Sequence, residues 1–262
     1  MEPISKSKLK ELASFRQQKF CDLHNLFVAE GEKLASEILA MGIHIDTLCA
    51  TLNWFEEQGA LWQGRGLCAS MYMVSDEQLE RLSSFRQPNK VWMLLERRVC
   101  EIHNSKFEVR NASDVVQNPQ ITLALDRLQD PGNLGTIIRT ADWFGVRRIV
   151  CSPDTVSRFN PKVVQSTMGS LFRVAVDYCD LAAWLPSCGM PVYGALLDGD
   201  DLRAVAPAAP AVILVGNESR GISPSLHPLL TRRVTIPNLG GTCESLNAAV
   251  ATSVLLSHWC CR

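Results

Sequence analysis

The sequence lacks the basic excess that many nucleic-acid-binding chains carry. Its 26 Lys and Arg stand against 27 Asp and Glu, for a formal net charge of −1. Overall charge therefore gives no argument for nucleic acid, and any basic surface has to be local. The ten cysteines are scattered, with no C-x-x-C pair. The usual spacing of a structural zinc site is thereby excluded, and the adjacent Cys260 and Cys261 are poorly placed to bridge one another. There is no apolar run of membrane-spanning length and no leader-like n-region and h-region near Met1. These absences lead us to expect a cytoplasmic protein with reduced thiols, no membrane association and no bound metal. Internal repeats and low-complexity segments are missing too, as is the G-x-G-x-x-G dinucleotide fingerprint.

What is present is a chain of 262 residues, 47% hydrophobic and 20% charged, enough for one large or two modest cores. Lys6, Lys8, Lys10, Arg16 and Lys19 against Glu2 and Glu11 give the first twenty residues a local charge of five minus two, +3. Charge alone makes this a solvated helix face. Apolar spacing predicts a helix over 7–19, a strand over Leu26–Glu30, a helix over Glu32–Met41 stopped by Gly42, and strands over Ile43–Thr51 and Leu67–Val74. Ser75 with Gln78 reads as a capping box opening another helix, and Val91–Glu96 as a strand.

A polar stretch, 110–120, is the best linker candidate. A second alternation follows: strand 121–128, helix 135–144, strand 148–151, helix 161–169, strand 172–176 and helix 181–185. It continues with strands 192–197 and 212–215, helix 222–230, strand 233–236 and a closing helix over Ser245–Trp259. Buried apolar strands alternating with helices predict an α/β fold with a mostly parallel sheet covered on both faces.

Three loops follow apolar strands, where α/β sheets place ligands. The first, from Asp130, feeds a helix carrying Asn133 and Arg139; a helix start can hold an anion, and an arginine can clamp a phosphate. The second, Gly216–Ile222, holds Glu218 between two glycines, with Gly216 expected to let a ligand approach the backbone. The third, Ile236–Asn247, ends in Ser245, Leu246 and Asn247 before a small-residue run, with Ser245 expected as the helix cap. Each loop alone reads more simply as an ordinary turn or capped helix start.

Taken together, "NLGTIIRTADWFG", "LVGNESRG" and "IPNLGGTCESLNAAVA" resemble the SpoU (TrmH) family of RNA 2'-O-methyltransferases in the SPOUT superfamily, and "FNPKVVQSTMGSLFRV" resembles the segment that connects them. The resemblance covers about residues 121–259. "LFVAEGEKLASEIL" resembles the opening of the family's substrate-binding domain. Two departures stand out: Asn238 where a methionine is common, and an extra residue around Gly240-Gly241-Thr242.

The resemblance implies a small ribosomal-protein-like α/β domain over 1–107, a linker over 108–120, and a methyltransferase domain over 121–262 whose sheet is tied in a trefoil knot. It implies S-adenosylmethionine as cofactor, contacted through Gly216, Ile236 and Leu246, and Arg139, Asn133, Glu218, Ser245 and Asn247 as catalytic positions. Glu218 is expected to fix either Arg139 or Asn133. The substrate implied is RNA, ribosomal rather than transfer RNA because of the extra domain. No metal is required, since the leaving sulfur departs neutral. A homodimer is implied, and Ala248–Ala251 and Trp259 suit its packing. A transfer-RNA methylase and a non-catalytic RNA-binding protein of the same fold remain open. Asp198, Asp200 and Asp201 read as a solvated polar turn, the five histidines share no ligand spacing, and Cys243 reads as a small filler.

Overall fold

In the computed structural model, residues 2–104 and 120–261 are described; most of the 108–120 linker lies outside them. Contacts divide these residues into two units. One takes the chain up to Ile102 together with Phe159–Gly169, and the other takes the remainder.

The first unit is built on a five-stranded mixed sheet, β1 (Glu2–Pro3), β2 (Leu26–Glu30), β3 (Ile45–Ala50), β4 (Cys68–Met73) and β5 (Val91–Glu96), in the order β1-β4-β3-β5-β2. β2 pairs antiparallel with β5 from Leu26–Glu96 to Glu30–Trp92, and β3 pairs antiparallel with β5 but parallel with β4. The helix expected over 7–19 is broken in two. α1 (Lys6–Ala13) starts on Ser5, which accepts from Lys8 N, and buries Leu9 and Leu12. A short 3-10 turn burying Phe15 then redirects the chain into α2 (Gln18–His24).

α3 (Glu32–Ala40) falls where the apolar spacing puts it. The pattern assigns nothing to α4 (Leu52–Arg65), which buries Trp54, Phe55 and Trp62; its two internal glycines dilute the helical signal. α5 (Asp76–Leu82) opens on the Ser75–Gln78 capping box, and α6 is Arg98–Asn104. Phe159–Gly169 groups with this unit: the Phe159 ring lies 5.0 Å from that of Phe27, with the Arg97 guanidinium 4.8 Å above it.

The second unit holds a six-stranded sheet whose pairings are all parallel. Its strands are β6 (Ile121–Leu125), β7 (Arg148–Cys151), β8 (Ala175–Tyr178), β9 (Val192–Asp201), β10 (Ala211–Val215) and β11 (Arg232–Thr235), in the order β11-β9-β10-β6-β7-β8. Every residue of β6 and β10 is buried, as central parallel strands require. The helices of this half of the chain are α7 (Pro131–Trp143), α8 (Pro161–Thr167, in the first unit), α9 (Leu181–Ser187) and α10 (Ala248–Cys260). α10 packs on α7.

Several expectations are corrected. Residues 224–229 form a 3-10 helix, not an α-helix, with prolines at 224 and 228. β9 runs on through Asp198, Asp200 and Asp201, which are not in a turn. Those carboxylates pair with Arg233 (2.8 Å), Arg232 (2.6 Å) and Arg203, respectively. Gly199 permits this, since a Cβ there would stand 2.6 Å from the Val234 backbone where the β9–β11 register shifts. Trp259 is not offered to a partner. It is 6% exposed, packed edge-on at 5.0 Å from Tyr193, and Ala248 and Ala249 are buried with it.

All ten cysteines are free thiols. Among the described residues no helix is long and apolar enough to cross a membrane.

Candidate active site

The site is assembled at the carboxyl ends of β6, β10 and β11, where parallel strands present their loops on one edge of the sheet. After β6, Asp130 caps α7 by accepting from Asn133 N at 2.8 Å, and Pro131 occupies the first helical turn. Its fixed φ and missing N–H suit that position. The cap places Asn133 in the first turn with its side chain free to face outward.

After β10, the loop Gly216–Ile222 folds back on itself. Asn217 and Gly221 exchange backbone hydrogen bonds of 3.1 and 2.9 Å. The Asn217 side chain accepts from Ser219 N and Arg220 N and donates to Arg127 O. This turn presents Glu218. Gly216 is needed here for an unexpected reason: a Cβ would stand 2.2 Å from Gly221 C and 2.3 Å from Ile222 N. What approaches Gly216 is the chain's own backbone.

After β11, the loop is exposed from Asn238 to Asn247 and forms neither helix nor strand. Asn247, not Ser245, caps the closing helix, accepting from Ala249 N and Val250 N. α10 therefore starts three residues later than expected, and Ser245 and Leu246 stay in the loop.

The three loops meet through side chains. Asn133 donates to Glu218 Oε1 at 2.7 Å, and Asn247 donates to Asn133 Oδ1 at 2.9 Å. The Asn133 amide is thus polarised from both ends, with a carboxylate on its NH2 and an amide donor on its oxygen. Of the two partners left open for Glu218, the structure selects Asn133.

Arg139 lies six residues further along α7, about 9 Å along the axis. It is exposed and, among the described residues, makes no ion pair. Its guanidinium fork is left available for a phosphate. Ser245 is likewise exposed, two residues before the cap. Of the expected cofactor contacts, Gly216 is buried, Ile236 is half-buried and Leu246 is 49% exposed.

A second set of contacts, not singled out from the sequence, fixes the loops beneath the site. Buried Asp126 accepts from Ser223 N and Oγ at 2.7 and 2.6 Å, joining the ends of β6 and β10. Arg127, in the left-handed region at φ 54, donates its N–H to Ser152 Oγ and offers its carbonyl to Asn217. The sequence signal for Asp126 was present but slight: a lone acid directly after an apolar strand.

The residues around the third loop fit a cofactor held through main-chain groups against an apolar surface. The loop residues are exposed, Leu239 at 81% and Leu246 at 49%, with half-buried Ile236 at the loop's root. No acidic ribose-binding residue is required by such a mode of binding.

Comparison with known proteins follows these features closely. Residues 120–257 match the SpoU rRNA Methylase family, and residues 6–92 match the MRM3-like substrate binding domain. The chain is 28% identical over 263 residues to a 23S rRNA (guanosine(2553)-2'-O)-methyltransferase of Bacillus subtilis, covering 98% of each. A TrmH-family structure from Porphyromonas gingivalis is 33% identical, with 98% of each chain covered and a TM-score of 0.78. An AdoMet-bound rRNA methyltransferase from Sinorhizobium meliloti is 30% identical, covering 98% of this chain and 96% of its own, with a TM-score of 0.78.

Proposed function

This chain belongs to the SpoU rRNA methylase family, and from that premise we propose that it methylates a ribose 2'-hydroxyl of RNA, using S-adenosylmethionine. Ribosomal RNA is the favoured substrate over transfer RNA. The observation that carries the reading is the Glu218–Asn133–Asn247 hydrogen-bond chain, which ties the three motif loops together at the strand ends. A B. subtilis relative that the chain matches over nearly its whole length is named for ribose methylation of 23S rRNA. A cytoplasmic location accords with such a substrate.

In this reading the cofactor supplies an electrophilic methyl on a sulfonium, whose departure leaves a neutral sulfur. Ile236 and Leu246 would hold it through apolar contact and main-chain groups, and Gly216 through the shape of its turn. Arg139 binds the substrate phosphate and polarises the 2'-hydroxyl, whose proton passes to solvent as its oxygen takes the methyl. Asn133, fixed between Glu218 and Asn247, holds the helix start against the reacting ribose, with Ser245 completing the polar rim. Residues 1–107 form the RNA-binding domain, 108–120 the linker and 121–262 the catalytic domain. The trefoil knot that the family resemblance implies belongs to the same proposal, with α10 packed on α7 and β10.

A homodimer belongs to the same proposal. With Ala248, Ala249 and Trp259 buried in their own chain, its surface is the face of α10 that carries Val250 and Val254, 49% and 38% exposed.

Single-turnover transfer of labelled methyl, with cofactor binding followed in parallel, tests the catalytic assignment. Arg139→Ala should lose a few-hundred-fold in rate, on the order of 3–4 kcal/mol, with cofactor affinity unchanged. Arg139→Lys should recover little, because a point charge cannot reproduce the planar fork. Near-native transfer by the alanine variant removes Arg139 from the mechanism.

A further inference from the structure

In the third loop, Asn238 and the two glycines that follow Leu239 form one device. Asn238 Oδ1 accepts from Gly240 N at 3.1 Å and from Gly241 N at 2.6 Å. Its Nδ2 donates to Gly241 O at 3.0 Å and to Cys243 O at 3.2 Å. A side-chain amide has two acceptor sites and two donor hydrogens, so the whole capacity of Asn238 is spent inside one turn of six residues.

The two glycines have a matching explanation. Gly240 has φ +104, a conformation that L side chains rarely adopt, and a Cβ on Gly241 would stand only 3.2 Å from Asn238 Oδ1. No other side chain does the same work. Aspartate accepts but does not donate, glutamine is a methylene too long, and methionine offers neither hydrogen nor strong acceptor.

We propose that Asn238 is a positioning residue for cofactor binding: its amide preforms the enlarged loop 238–243, so that the loop joining Ile236 to Leu246 is already shaped before the cofactor arrives. The proposal rests on the assignment of this loop to S-adenosylmethionine. An exposed loop without such a brace must be ordered on binding, and that cost is drawn from affinity. None of the four Asn238 hydrogen bonds involves Glu218, Asn133 or Asn247, so the brace acts on binding and leaves the chemical step alone.

The test uses the full chain with S-adenosylmethionine in calorimetry, and with total ribosomal RNA lacking the modification for kinetics. Asn238→Ala should raise the Kd for S-adenosylmethionine roughly tenfold and raise KM for it in parallel. Turnover at saturating cofactor should stay within about twofold and the melting temperature within about 2 °C. Asn238→Asp keeps both acceptor roles but sets a carboxylate against the carbonyls of Gly241 and Cys243. It should bind no better than the alanine variant, and it is the variant to read if alanine compromises folding. Native-like affinity in both variants, or a fall in turnover with KM unchanged, overturns the proposal. Failure of the native chain itself to bind S-adenosylmethionine overturns the cofactor assignment, and this inference with it.

Discussion

Asn247 donates its side-chain amide to Asn133 Oδ1 at 2.9 Å, across 114 positions of sequence, and thereby joins the start of the closing helix to the start of α7. The other end of the Asn133 amide is held by Glu218 at 2.7 Å. The polarity of this chain is fixed: a carboxylate accepts, one amide relays, and a second amide donates while its own oxygen caps α10.

That polarity can be reversed and repaired. Asn133→Asp sets two carboxylates facing each other, while an acid in the first turn of α7 remains favourable for the helix itself. Methyl transfer should fall at least tenfold with little change in melting temperature. Adding Glu218→Gln supplies a donor where Glu218 was, and should recover most of the loss. A double-mutant cycle on the single-turnover rate measures the coupling; strictly additive effects would show that the two residues do not act as a pair.

Gly216 and Gly221 should respond differently to alanine. At Gly216 the added methyl meets Gly221 and Ile222 backbone at 2.2–2.3 Å, whereas at Gly221, φ +65, nothing lies within 4 Å. Gly216→Ala should cost about 1–3 kcal/mol through overpacking, and Gly221→Ala about 1 kcal/mol through backbone strain. Urea denaturation ranks them. A milder effect at Gly216 would mean that the loop repacks.

Glu30 gives the first unit a pH dependence. It is 3% exposed, accepts from Ser83 Oγ and from Ser84 N, and burial pushes its carboxyl above the ordinary glutamate value, with the Ser83 hydrogen bond opposing. A folded-state pKa raised above the unfolded one means that the native state binds the proton more tightly. The stability this gives is present at acidic pH and is lost as pH rises from the unfolded value through the folded one. Glu30→Gln should remove that dependence, so the stability difference between variant and native should shift in the variant's favour from pH 4 to pH 8. Glu30→Ala, which leaves the Ser83 hydroxyl without its acceptor, should cost about 1–3 kcal/mol at both. Thermal melts across that range decide; parallel curves for native and Glu30→Gln would exclude the carboxyl as the source.

The dimer surface is tested by charge. Val250 and Val254 are one helical turn apart on α10 and share an exposed face. A lysine at each should give a monomer by light scattering with an unchanged melting profile at low concentration. Trp259→Ala, in contrast, should destabilise the chain itself, by about 3–5 kcal/mol for a buried tryptophan. A native protein that is monomeric at micromolar concentration counts against the dimer altogether.

Much of the second unit is legible in the sequence because its signals are local. β10 is an uninterrupted apolar run and β6 one broken only by Thr122, as parallel strands buried on both faces tend to be, and Asp130-Pro131 announces a helix start by side-chain capping and a fixed φ. The Ser75–Gln78 capping box is local in the same way. α4 was hidden because Gly59 and Gly64 interrupt a pattern that Trp54, Phe55 and Trp62 otherwise carry. The break after Ala13 was hidden because a 3-10 turn and an α-helix share nearly the same spacing.

The sequence by itself determined that Asn133, Glu218 and Asn247 lie at loop ends, and their wording marked them as a set. Which of them touch was decided only by the tertiary structure. A hydrogen bond forms at about 3 Å and depends on direction, whereas the order of β11-β9-β10-β6 is set by long-range strand pairing that no local pattern encodes. The same holds for Gly216, whose need for a missing side chain comes from backbone five residues away folding back. It holds for Trp259 as well: an apolar side chain on a terminal helix reads the same whether it packs on its own sheet or on a partner, and only the nearness of Tyr193 chooses between them.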